Sequence, residues 1–508
     1  MRTSGGKADN RIRWRVALLL CAALLTVCLV RPSAAVAAET DTGEAVDLTG
    51  ETEISFSGNH RLSDITDNKN STWLTFDSGE TVTITAEQDF YSLYILWNKI
   101  PGPWTYTAGG ASGTGGADGY QHEYIALEAP TREITVTIPE GGAEITDLHV
   151  FSEGTLPDWV QVWQPPHETA DIMLFSTHAD DEQLFFAGIL PYYAVERQVA
   201  VQVVYMTNHW AEPARPHELL NGLWTVGIRN YPIISEFADD YRAPGKTGES
   251  VESVLERARN IYDEEEWVCF EVEMLRRFKP QVVIDHDLRG EYVHGAHILN
   301  SVAMQSAVEL SADPNYDPET AEKYGLWDVP KTYFHLYGEN QIVMDWDTPY
   351  ESLGGLTPFE MTKKGFACHE SQQRWWFSDW INKDKAESIG NYSPCKFGLY
   401  RSTVGEDVKK NDFLEHIIPY SMKEEAERLA REEEERLAQE EERLAQLEEE
   451  LRRQQEQQSK GQDDEPAGTP MEQTQPGMHA HAMVLIGLCV LLVVLISITI
   501  IGVARGKQ

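Results

Sequence analysis

Residues 171–182, D-I-M-L-F-S-T-H-A-D-D-E, constrain the chain more than any other stretch. The unbroken apolar run 172–175 is of the kind that a strand buried on both faces shows. His178, Asp180 and Asp181 follow at once. Glu182 then opens a segment whose apolar residues (Leu184, Phe185, Ala187, Ile189, Leu190) predict a helix over 182–196. Acids at a helix start are favoured by the dipole and serve equally as caps. The imidazole changes the reading. A strand ending in His-x-Asp-Asp puts a nitrogen ligand and two carboxylates at the carboxyl edge of a sheet, where open α/β folds keep their sites.

A second cluster lies downstream. Residues 281–287 (Q-V-V-I-D-H-D) are another apolar strand candidate and lead into R-G-E-Y-V-H-G-A-H, which carries His294 and His297. Histidines at this spacing on a helix share one face, so one is free to bind a metal while the other faces substrate. His178, Asp181 and His297 make a two-His, one-carboxylate set, which suits a single catalytic zinc with an open position. Asp180 is left over as a base. Each cluster alone reads equally well as helix caps or ordinary histidines; two such clusters, each behind its own buried strand, favour chemistry.

H-A-D-D-E resembles the His-Pro-Asp-Asp-Glu signature of the LmbE-like (PIG-L) N-acetylglucosaminyl deacetylases, and G-E-Y-V-H-G-A-H resembles their second His motif. Arg215-x-x-Glu218, with Gly222 and Val226-Gly227-Ile228 behind it, is similar to the family's intervening Arg-x-x-Glu segment. K-G-F-A-C-H-E-S-Q at 364–372 resembles a late His-x-Ser-Gln element, in which His369 is not expected to be a ligand. The resemblance covers roughly 171–401. It implies zinc ligands at His178, Asp181 and His297, a general base at Asp180, oxyanion stabilisers at His294 and Tyr292, and a substrate-positioning residue at Arg215. Ala179 stands where the family has Pro, which removes a pre-set φ from the turn. The implied activity is hydrolysis of the N-acetyl group of an N-acetylglucosamine-type sugar or glycan. An amidase of the same fold and a non-catalytic glycan-binding adhesin are the alternatives.

The rest of the chain frames this centre. After 171, strand candidates (172–177, 199–207, 282–285, 332–336) alternate with helix candidates (182–196, 217–226, 250–277, 294–310). Such alternation predicts an α/β, Rossmann-like layered fold with a mostly parallel sheet over 166–410. Before it, 39–165 carries short β-branched runs separated by Gly-rich turns, the pattern of a β-sandwich. Its order resembles discoidin-like (factor 5/8 type C) jelly rolls, which often bind carbohydrate. Trp97, Trp104, Tyr106 and Tyr120 are candidates for stacking on sugar, or are core. Residues 158–166 read as a linker.

With 508 residues there is room for two or three domains, and a net charge of −40 argues against nucleic acid as a partner. Residues 1–38 read as a signal peptide with small residues at the cleavage positions, or as a permanent anchor. Outside this leader and the C-terminal apolar run the cysteines are Cys269, Cys368 and Cys395. Three is an odd count: Cys368 and Cys395 are candidates for a pair outside the cell, and Cys269 for a buried free thiol within a helix. Residues 411–457 are rich in Glu–Arg pairs and keep Leu437, Leu444 and Leu451 in a heptad, so the stalk is a single charged helix or a homodimeric coiled coil. A flexible linker, 458–482, precedes an apolar run at 483–504, about 20 residues and enough to span a bilayer. Arg505 and Lys507 then predict a short cytoplasmic tail. The expected whole is a cell-membrane protein with an extracellular ectodomain.

Overall fold

The computed structural model describes residues 43–460 apart from 375, 376 and 378–380. The expected leader, apolar run and tail lie outside them, as does the expected linker beyond 460, its first three residues being helical. No helix among the described residues is long and apolar enough to cross a membrane. The chain divides into two compact units, 1–429 and 430–508.

The first unit begins with strands β1 (Thr52–Phe56), β2 (Leu74–Phe76), β3 (Thr81–Lys99), β4 (Trp104–Ala108), β5 (Ala111–Gly115), β6 (His122–Thr137) and β7 (Ala143–Phe151). They form one antiparallel sheet in which β3 and β6 are far longer than the rest. Register shifts between Thr85 and Ser92 divide β3 into two segments. One segment pairs with β1 and the other with β7. Val82 and Ile84 from one and Leu93, Ile95 and Trp97 from the other enter the same core, as expected of a sheet bent at a bulge. Of the two readings open for the aromatics, core packing is the one found: Trp97, Trp104 and Tyr120 are buried, and Tyr106 packs against that core. Trp97 and Trp104 both donate to Glu123.

The second sheet comprises β8 (Ile172–Ser176), β9 (Val201–Tyr205), β10 (Ile233–Ile234), β11 (Val282–Asp285), β12 (Lys331–His335), β13 (Gln341–Val343) and β14 (Lys396–Ser402). Its order is β10-β9-β8-β11-β12-β14-β13. The pairings from β10 to β12 are parallel, whereas β14 runs antiparallel to both β12 and β13, so the sheet is mixed. Ile172 and Leu174 face one apolar cluster, and Met173 and Phe175 face the other. That two-sided burial explains the unbroken apolar run. Strand order reverses between β8 and β11, which makes their carboxyl ends the switch point where α/β sheets open a crevice.

The helices are α1 (Asp181–Leu184), α2 (Ala214–Thr225), α3 (Val251–Arg259), α4 (Glu264–Phe278), α5 (Gly295–Leu310), α6 (Pro318–Tyr324), α7 (Pro358–Ala367) and α8 (Tyr420–Lys460). The helix expected over 182–196 breaks after one turn. Gly188 adopts φ 87° against Trp346, where a Cβ would come within 2.4 Å of the indole. The helix expected over 250–277 is two, with Asp263 capping the second through the Glu265 amide. Residues 411–419 pack into the body rather than beginning a stalk, with Phe413 and Leu414 buried. Cys269, Cys368 and Cys395 are free thiols, so the considered pairing is not made. Leu437 and Leu444 on α8 are about half exposed.

Candidate active site

β8 ends in a tight turn that carries the first cluster. Asp181 Oδ2 accepts the backbone N–H of His178 at 2.8 Å. Asp180 sits at φ 127°, a strained position for a non-glycine residue. Its amide donates to Glu182 Oε2 at 2.9 Å, and Glu182 in turn meets His369 Nε2 at 3.1 Å. His369 therefore holds the turn from behind and does not reach the front. Glu218 accepts from both the amide and the hydroxyl of Ser371. The Arg-x-x-Glu and His-x-Ser-Gln segments thus hold each other.

Ala179 answers the question its sequence raised. Its amide donates to His209 Nε2 at 3.1 Å, and its carbonyl accepts from Arg215 at 2.8 Å. The first bond is one that a proline could not make.

The second cluster hangs from β11 through a strained loop in which Gly290, Tyr292 and Val293 all have positive φ. Two hydrogen bonds between residues 243–245 and 293–295 hold it. At its centre is Glu291, fully buried, with Oε2 at 2.8 Å from both His286 Nδ1 and His297 Nδ1, and Oε1 at 2.5 Å from His335 Nδ1. The histidines keep its carboxyl well below the usual range against the opposing effect of burial. With Nδ1 committed to Glu291, His297 presents the Nε2 lone pair forward.

That lone pair completes a triangle. His178 Nδ1 lies 3.0 Å from Asp181 Oδ2 and 3.0 Å from His297 Nε2, and the latter two atoms are 3.2 Å apart. The far nitrogen of His178 faces Asp239 Oδ1 at 3.4 Å. Two imidazole nitrogens and a carboxylate oxygen converging this closely are a donor set that suits a divalent cation, and without one protons bridge them. Burial opposes charge on His178, yet the carboxylates of Asp239 and Asp181 overcome it and push the ring up to about 10. A field that holds a proton so firmly also favours a metal ion, which displaces it. His286 does not join the triangle, because its Nε2 accepts the Thr177 amide at 3.0 Å.

The other expected residues gather around it. Burial raises the Asp180 carboxyl to about 7 against the pull of Arg215, whose guanidinium is 3.8 Å away. The His294 ring centroid is 4.6 Å from those of both His178 and His297. Burial and those neighbours hold His294 well below its usual value, and its Nδ1 has no protein partner. Tyr292 lies beside His294, ring centroids 5.5 Å apart. Tyr292 is 38% exposed, and desolvation of its phenol together with the carboxylates of Asp181 and Asp180 raises it well above its usual value. The structure thus brings together all seven residues named from sequence: His178, Asp180, Asp181, Arg215, Tyr292, His294 and His297.

Sequence reasoning missed Glu291, His209 and Asp239. Asp239 approaches His178, His209 and Arg215 at 3.4–3.8 Å. Glu291 lay inside the second motif, where an acid between two His positions was a usable signal. Asp239 comes from an irregular loop that has none.

No protein-family model matches the chain. A 1D-myo-inositol 2-acetamido-2-deoxy-alpha-D-glucopyranoside deacetylase of Geodermatophilus obscurus is 38% identical over 182 residues, 32% of this chain and 60% of that protein. Deacetylase 2 of the same name from Saccharopolyspora erythraea is 36% identical over 119 residues, covering 23% and 41% respectively. The chain therefore spans less than two thirds of the length of these relatives. Among solved structures, the N,N'-diacetylchitobiose deacetylase of Pyrococcus horikoshii aligns over 46% of this chain and 85% of its own at 17% identity. Its TM-score of 0.32 is too low to carry an argument. These relatives, together with the chain's own two His motifs and the Arg-x-x-Glu segment between them, support its placement in the LmbE-like (PIG-L) family.

Proposed function

We propose that the chain is a zinc-dependent deacetylase that hydrolyses the N-acetyl group of an N-acetylglucosamine-type sugar or glycan. The triangle of His178 Nδ1, Asp181 Oδ2 and His297 Nε2, with sides of 3.0–3.2 Å, carries this reading. These residues would hold the metal, which when bound supplies Lewis acidity toward the acetyl carbonyl and toward water. Asp180, raised to about 7, takes the proton of the attacking water and returns it to the leaving amine. His294 and Tyr292 donate to the carbonyl oxygen as it gains charge. Arg215 offers a donor fork and Asp239 an acceptor, 3.8 Å apart, a pairing suited to neighbouring sugar hydroxyls. The relatives named above act, by their names, on an acetamido sugar, which supports the substrate class.

Display of this ectodomain from a cell membrane through 483–504, dimerisation through the stalk and a discoidin-like origin of the first sheet belong to the same proposal and rest on sequence alone.

Purified protein is expected to bind about one zinc per chain and to release acetate from N-acetylglucosamine oligomers. In Asp180→Ala, acetate release is expected to fall by about a hundredfold or more while zinc stays bound. Zinc without turnover on any N-acetyl sugar would move the assignment to another amide. A chain that binds no metal would overturn it.

A further inference from the structure

The first sheet turns one face toward the α/β body. On it, Tyr94 is paired across the strands with Tyr124 and His149, and Leu96 with His122 and Asp147. Between this face and helices α2 and α7 runs a groove of about 1160 Å³, closed on a third side by residues 154–162. None of the residues proposed for hydrolysis lines it.

Its most prominent feature is Trp159, 47% exposed. The ring is braced by Tyr94, His149 and Phe151, with centroids at 6.0, 4.9 and 5.7 Å. The carbonyl of Asp158 just before it accepts Trp224 Nε1 at 2.7 Å, which fixes the segment to α2. An aromatic face is therefore held open at little entropic cost to a ligand. Around it stand the amides of Asn68, Asn70 and Asn221 and the buried carboxylate of Asp147.

Flat apolar rings fringed by amides and the carboxylates of Asp147 and Asp158 match a pyranose, whose faces are C–H and whose rim is hydroxyl. A purely apolar ligand would strand the amides and Asp147. A polyanion would meet Asp147 and Asp158 on a chain of net charge −40, with Lys364 and Arg229, the latter stacked over Trp224, as the Lys and Arg cations of the lining. We infer that this groove is a saccharide-binding site separate from the hydrolytic centre, with Trp159 as its stacking platform. The choice of an acetamido sugar as probe rests on the proposed function; the groove itself does not. Both sites lie in one compact unit, so a polymer bound in the groove raises the effective concentration of its own acetamido groups near the metal ligands.

The test is hydrogen–deuterium exchange on the full chain carrying Asp180→Asn, titrated with an N-acetylglucosamine hexamer. Protection is expected at residues 154–162 and 221–229 as well as in the loops of the hydrolytic centre. Trp159→Ala, and Asn70→Ala as a variant that leaves the ring cluster intact, are expected to shift protection of the groove to about tenfold higher oligomer concentration. Protection confined to 178–182 and 291–297, or groove protection unchanged in both variants, would overturn the inference. Groove protection in a protein whose wild type releases no acetate would retire the hydrolase and leave the groove standing.

Discussion

Two single residues decide how well the proposed metal ligands are held. Glu291 fixes the tautomer of His297 and ties it to His286 and His335 in a fully buried cluster. Glu291→Gln replaces a charged acceptor of three N–H groups with an amide that can satisfy only part of the set. Zinc affinity is expected to fall by about 10- to 100-fold, read by competition with a chelator. Ala179 makes a prediction against the family pattern. Ala179→Pro would restore the usual residue yet remove the donor to His209 Nε2, leaving a buried acceptor unmet. It is expected to destabilise the protein by about 1–3 kcal/mol in chemical denaturation, whereas a gain in stability would show that φ restriction outweighs the bond.

Helix α4 carries the oddest buried group among the elements. Its inner face is apolar at Trp267, Val268, Val272, Met274, Leu275 and Phe278, and Glu271 is buried among them with neither carboxylate oxygen hydrogen-bonded. Burial, and then the nearby Asp285, raise its pKa well above the usual value. A carboxyl raised in the folded state contributes its stability below the unfolded pKa and loses it as pH rises through the folded one. Glu271→Leu is therefore expected to stabilise the protein by about 1–3 kcal/mol at pH 7 and by less near pH 4. Urea midpoints at the two pH values measure the difference. The elements that position the site were legible because β8 and β11, buried on both faces, write continuous apolar runs ahead of the two His motifs. The break after α1 was not, since the residue that forces it, Trp346, lies far along the chain from Gly188. Asp239 was hidden for the same reason: its partners His178 and Arg215 meet it only in three dimensions.

At the scale of the whole first unit, the antiparallel sheet and the α/β body meet through a pair of buried histidines. His122 Nε2 lies 2.7 Å from His217 Nδ1, so the two rings share one proton. The hydroxyl of Tyr94 is 3.2 Å from the outer nitrogen of His122, and Thr146 and Gln121 stand 3.3 and 3.4 Å from that of His217. Among these hydrogen-bond partners no carboxylate balances a second proton. Burial lowers His217 to about 3, and burial with the His217 charge holds His122 well below its usual value. The sign follows from linkage. A histidine depressed in the folded state stays neutral while the exposed ring takes up a proton below its ordinary pKa of about 6.5. Stability of the junction is then lost as pH falls from about 6.5 toward 3, at up to about 1.4 kcal/mol per pH unit for each ring. Since His217 is on α2, the helix that carries Arg215 to Asp180, opening the junction is expected to loosen the placement of Arg215 as well. Limited proteolysis in the 154–166 segment is expected to accelerate between pH 6.5 and 4.5. His217→Gln, which keeps polar groups at the junction but cannot take up a proton, is expected to flatten that dependence. Cleavage that quickens equally in the variant would assign the acid response to other groups.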